Sequence, residues 1–186
     1  MMSTNFSVKT RAPGRAKKVL ATGLLAMVVA LLFGLLVTAR PAHAVTITVN
    51  SVADTVADNG ECTLREAIGA ANNNTSSGAT PGECAAGLGT DTINFNIGGA
   101  AGVKTIAPSS ALPPIIEAVT INGYSQPGAS ANNLAQGNDA VLLIELKGTG
   151  AGAGAAGLNI QASNSGVEGL VVNNFNRGVQ ISTGSS

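Results

Sequence analysis

Past residue 44, one stretch alone reads as a helix, so the rest of the fold has to come from short strands and turns. The stretch is Cys62-Thr-Leu-Arg-Glu-Ala-Ile68, running on through Gly69, Ala70 and Ala71 to Asn72-Asn-Asn74. Thr63 and Glu66 stand at the spacing of a capping box, in which each side chain takes up the other's free backbone N–H. Leu64, Ala67, Ile68 and Ala71 recur at i, i+3, i+4 and i+7, one face of a helix. A helix of about ten residues is marginal alone, so its apolar face needs a cover. We expect it to lie as a short N-terminal capping helix on the end of a strand array.

The strands are short. Val45–Asn50 and Thr92–Ile97 alternate apolar and polar residues. Val103–Ile106, Ile115–Ile116 and Val119–Gly123 are further candidates. From Ala140 onward, apolar pulses at Val141–Leu146, Leu158–Ile160, Val167–Val172 and Val179–Ile181 are separated by Gly, Ser and Asn. Pulses of this length suit rungs stacked in a parallel β-helix better than long hairpins. Ile121-Asn-Gly123 and Leu146-Lys-Gly148 stand 25 residues apart, and Leu158–Ile160 and Val179–Ile181 stand 21 apart, both in the range of one coil. Gly 24, aromatic 3% and charged 11% favour tight corners over an aromatic core. The competing fold is a β-sandwich, which wants more hairpin turns and aromatic residues. For 148–157 the competing reading is a Gly/Ala linker.

The region from Ile47 to about Ile121 resembles the N-terminal region of bacterial secreted or surface proteins named for a Cys-Ser-Leu-Arg-Glu-Ala motif. The matching pieces are Ile47-Thr-Val-Asn-Ser51, Asp54-Thr-Val-Ala-Asp58, Cys62-Thr-Leu-Arg-Glu-Ala-Ile68, Ala71-Asn-Asn73, Cys84 and Asp91-Thr-Ile-Asn-Phe-Asn96. Thr63 replaces the usual Ser, and either hydroxyl caps a helix. The resemblance implies a right-handed parallel β-helix behind the cap. The expected fold class is thus all-β, a right-handed solenoid with a short capping helix, incomplete at its C-terminal end. Its divisions are 1–44 as signal peptide, 45–97 as cap region and 98–186 as the first coils.

Charge separates the leader from the rest. Residues 1–44 hold Lys9, Arg11, Arg15, Lys17, Lys18 and Arg40 and no acid, and the remainder holds ten acids against Arg65, Lys104, Lys147 and Arg177. A net charge near −6 after residue 44 offers no footprint for nucleic acid. The basic start precedes the apolar run Val19–Val37, and Ala42-His43-Ala44 has the small-x-small pattern of a signal peptidase site. Cleavage is expected after Ala44, by the general secretory route. An uncleaved membrane anchor is the alternative, since the run is long enough to span a bilayer. The expected location is secreted or on the outer cell surface, with the secretion machinery and signal peptidase as partners during export.

In an oxidising compartment Cys62 and Cys84 read as a disulfide; in the cytosol they would be thiols or lone metal ligands. Closing a loop of roughly 23 residues contributes about 3.4 kcal/mol in the chain-entropy model. Metal: none is expected, because two cysteines without a third ligand make a poor zinc site. Asp54, Asp58 and Asn59 invite a calcium reading, but their spacing is not that of an EF-hand loop, and turns use Asp and Asn for local bonds. No cofactor is therefore expected.

Catalytic residues: none are assigned. Glu145 and Glu168, 23 residues apart, are the acids that could stack on one outer face, and an acidic solvent face is the plainer reading. Tyr124, in the Gly/Ser/Asn loop, and Arg177 are the candidate ligand contacts. The cap motif Thr63, Leu64, Arg65, Glu66, Ala67 and Ile68 is expected to be structural, with Arg65 pairing Asp54, Asp58 or Glu61. The function expected is a surface module for adhesion or structural display, with extracellular glycans or surface proteins as partners. The alternative is the front of a polysaccharide lyase or glycoside hydrolase. Two carboxylates facing one cleft would favour the latter.

Overall fold

A computed structural model describes residues 44–99 and 101–182. The predicted leader, all but Ala44 of 1–44, lies outside the described residues. The elements, in chain order, are β1 (Thr46–Val49), α1 (Leu64–Asn73), β2 (Asp91–Phe95), β3 (Lys104–Ile106), β4 (Val119–Asn122), β5 (Ile144–Lys147), β6 (Ala156–Ile160), β7 (Gly166–Glu168), β8 (Leu170–Asn173) and β9 (Arg177–Ile181). Single 3-10 turns follow β4 and β5 at Gly123–Ser125 and Gly148–Gly150.

The helix forms as its caps dictate. Thr63 Oγ1 accepts the Glu66 N–H at 3.2 Å, and Glu66 Oε2 accepts the Thr63 N–H at 3.0 Å, which completes the capping box. Asn74 ends the helix in the left-handed conformation, φ 52°, with its N–H on the Ala70 carbonyl. Leu64, Ala67, Ile68 and Ala71 are buried, and the helix packs against β1 and β2.

All strands pair in parallel, in three sheets ordered β1-β2-β4-β7, β3-β5-β8 and β6-β9. Ile47, Ile93, Ile121 and Val167 face one another in the first sheet. Ile106, Leu146 and Val172 do so in the second, and Leu158 with Val179 and Ile160 with Ile181 in the third. Together with the buried face of α1 these rows, apart from the exposed Val179 and Ile181, make one apolar core.

The expected all-β solenoid is corrected by this arrangement. The described residues form a mixed α and β domain, one helix against three separate small parallel sheets joined by crossovers. Successive partners in the first sheet, Thr46, Thr92, Thr120 and Gly166, are separated by 46, 28 and 46 residues. A solenoid of equal coils needs one period, and excursions of such different length break it. The predicted partners Ile121 and Leu146 fall in different sheets. The predicted pairing of Leu158–Ile160 with Val179–Ile181 is formed at its 21-residue offset. The helix contributes buried side chains to the core, so the class is not all-β.

Candidate functional site

One end of the core is closed and tied down. Cys62 and Cys84 form the expected disulfide, with Cα atoms 4.7 Å apart. Arg65 reaches from α1 in two directions. Its Nε and Nη2 hold Asp54 Oδ1 and Oδ2 at 2.9 and 3.0 Å, and its Nη1 and Nη2 donate to the carbonyls of Ala111 and Ser110. Asp54 also accepts from the N–H and hydroxyl of Ser109. Asn72 extends the clamp, donating to the Pro114 carbonyl and accepting from the Ile116 N–H. These bonds fasten the helix to a segment more than forty residues away.

The polar loops at this end are also self-satisfied. Asp58 accepts the N–H groups of Ala79 and Thr80, and the Thr80 side-chain hydrogen bond first, with these two, holds its carboxyl below the usual range. Glu83 takes the Ser77 hydroxyl and the N–H groups of Asn59 and Gly60, with the Ser77 bond the main cause of its lowered pKa. Asp54 and Asp58, the calcium candidates, therefore serve different partners. Among the described residues no group of three or more His, Cys, Asp or Glu is placed to hold a metal.

The opposite end is open. Burial falls along every inward-facing row in the same direction. Ile47, Ile93 and Ile121 are buried, and Val167 is partly exposed. Ile106 and Leu146 are buried, and Val172 is partly exposed. Leu158 and Ile160 are buried, whereas their partners Val179 and Ile181 are 45% and 82% exposed. The last strands β7, β8 and β9 surround an open apolar depression of about 400 Å³, floored by Ile160 and walled by Val167, Leu170, Val172, Val179 and Ile181. Among the described residues each of the three is an outermost strand of its sheet, with one backbone edge lacking a strand partner.

The remaining predicted residues scatter. Tyr124 lies in the turn after β4, with its ring and N–H against Gly169 between β7 and β8. Arg177 begins β9, exposed, and donates to Gln180 Oε1 at 3.3 Å. Glu145 in β5 accepts from Thr105 at 2.6 Å and Asn173 at 2.7 Å, two bonds that lower its pKa, the Thr105 bond most. Glu168 is in another sheet, beside Asn122. The two glutamates do not stack, so they do not form the paired carboxylates that glycoside hydrolysis uses.

Asp91 went unrecognised as a site residue in the sequence. It is fully buried, its Oδ1 accepts the N–H groups of Val45 at 3.2 Å and Leu88 at 2.9 Å, and its Oδ2 has no hydrogen-bond partner. Its signal was available: Asp91 is in phase with Ile93 and Phe95, so a strand begun one residue earlier points it inward.

No protein family, curated protein or solved structure matches this chain. The resemblance to the Cys-Ser-Leu-Arg-Glu-Ala proteins is therefore corrected: no family match supports it, and the regular solenoid it implied is not formed. The adhesion and display function inferred from an elongated solenoid loses its basis with that fold.

Proposed function

We propose that the folded part of this chain is a protein-assembly module that docks on a second copy of itself through its open end. The observation that carries this reading is the common direction in which burial fails along all three sheets, ending at Val179 and Ile181. Apolar side chains beside unpartnered strand edges are the features that strand addition uses. Glu168 and Arg177, one acid and one base, border the same end, so the surface is not repelled by its own copy. The other end is shut by α1, the disulfide and the Arg65 clamp. Among the described residues one end is open, and pairing of two copies through it buries both surfaces in an isologous dimer.

In this reading the chain is exported by the general secretory route and loses its leader after Ala44. The basic, apolar and Ala-His-Ala sequence of the leader supports export, and so does the disulfide, which persists in oxidising compartments.

Light scattering on the exported protein across a concentration series tests the assembly. The expected result is a monomer–dimer equilibrium that Ile181→Lys shifts to monomer, with the far-UV spectrum unchanged. A monomer at every concentration, or a dimer indifferent to Ile181→Lys and Val179→Asp alike, would overturn the proposal.

A further inference from the structure

The buried carboxylate of Asp91 is half used. Oδ1 takes two backbone N–H groups, Oδ2 takes none, and no solvent reaches the side chain. A buried charge with an unpaired oxygen is costly. Gly87 lies so close to Oδ2 that a Cβ there would stand 2.3 Å away, so the pocket is tailored to the carboxylate. The residues recorded against it are uncharged. Val45 belongs to the lead-in to β1, Ala70 and Ala71 to α1, Gly87 and Leu88 to the preceding turn, and Ala118 to the lead-in to β4. Glu117, next to Ala118, is exposed.

One of the two N–H groups on Oδ1 is that of Val45, the residue that follows the Ala42-His43-Ala44 pattern, and Ala44 itself is exposed. We propose that hydrolysis of the Ala44–Val45 bond creates the counter-ion of Asp91: the new α-ammonium of Val45 replaces a neutral amide on the buried carboxylate. A peptidase adds water across the bond, leaving a carboxylate on Ala44 and, after protonation, an ammonium on Val45. The ammonium has two more hydrogens than the amide had, and a small turn of the carboxylate brings Oδ2 to one of them. A positive charge then meets a negative one whose side chain is fully buried, where such a pair is stronger than in open water. Removal of the leader thus completes the hydrogen bonding of β1 and β2 and tightens the closed end. This rests on the export reading above and is independent of the dimer.

The test uses full-length chain exported by a secreting host, on the Ile181→Lys background so that assembly does not enter. Mass spectrometry should find a mature N-terminus at Val45. A second chain carries one Gly inserted between Ala44 and Val45, so that the same cleavage leaves the amine one residue away from Asp91. Its Tm should be lower by about 5 °C, the shift given by loss of an interaction of ordinary strength in a domain of this size. The two chains should converge in the presence of Asp91→Asn, and also as pH rises above roughly 8, where α-amines lose their proton. The sign follows from the charge: the ammonium form is the stabilising one, so the gain is full at lower pH and lost on the alkaline side. Cleavage at another bond, or equal Tm values for the Val45 and Gly-extended chains at neutral pH, would overturn the proposal. If Asp91→Asn fails to fold, the Gly-extended chain and its pH dependence decide alone.

Discussion

Arg65 and Asp54 face each other in a two-pronged pair, Nε on Oδ1 at 2.9 Å and Nη2 on Oδ2 at 3.0 Å, with both side chains largely shielded from water. The remaining Arg65 donors go to the carbonyls of Ser110 and Ala111, and Ser109 completes the shell of Asp54. One arginine thus joins the helix, the loop before it and the 109–111 segment. A planar fork of donors is what such a three-way junction needs, and Lys does not supply it.

Arg65→Ala removes the pair and leaves Asp54 with Ser109 alone. We expect a loss of about 2 kcal/mol in urea unfolding, because a shielded carboxylate loses its cation and two carbonyls lose their donor. Arg65→Lys should recover only part of it. A change within experimental error for Arg65→Ala would show the clamp to be ornamental.

Acid should loosen the same end. Burial alone would raise the pKa of Asp54, but the Arg65 hydrogen bond, the Ser109 bonds and the Arg65 charge together hold it below 3.8. Hydrogen bonds lower Asp58 and Glu83 as well. A carboxyl with a depressed folded-state pKa contributes stability that is present above its unfolded value and is lost as pH falls through the folded one. Unfolding free energy should therefore hold down to about pH 4 and decline below it. Asp54→Asn should lower the plateau and flatten the decline. An unchanged slope in that variant would assign the acid sensitivity elsewhere.

Gly123 and Gly98 should respond oppositely to a methyl group. A Cβ on Gly123 would stand 2.1 Å from the carbonyl oxygen of Gly169, a backbone atom of the adjoining layer, whereas one on Gly98 meets nothing within 4 Å. Gly123→Ala should cost about 2–3 kcal/mol, since backbone must shift to relieve the overlap. Gly98→Ala should stay within about 0.5 kcal/mol of the parent protein. Comparable losses for the two would mean that the close packing between the layers is not maintained in solution.

Local rules made much of this chain legible. The capping box of Thr63 and Glu66, the buried stripe Leu64, Ala67, Ile68 and Ala71, and the stop at Asn74 all follow from residues within one or two turns of one another. Alternation marked β1 and β2 because a strand turns successive side chains to opposite faces, and short apolar pulses marked β4 and β9. Cys62 and Cys84, as the only cysteines, had one partner each.

Which strand lies beside which was decided elsewhere. Ile121 pairs with Ile93 and Val167 rather than lying one coil before Leu146, because the core is filled by excursions of unequal length that no local period records. Parallel pairing joins residues 21 to 46 positions apart, and short apolar pulses of similar composition carry little information about register over such distances. The two polar centres also belong to the tertiary structure. Arg65 meets Ser110 and Ala111, and Asp91 meets Val45, only after distant segments fold onto the closed end. The sequence by itself determined the helix, its caps, most strands and the disulfide, since these depend on neighbours or on scarcity. The sheet order and the burial of Asp91 emerge only in the folded chain, since these depend on how far the chain travels between contacts.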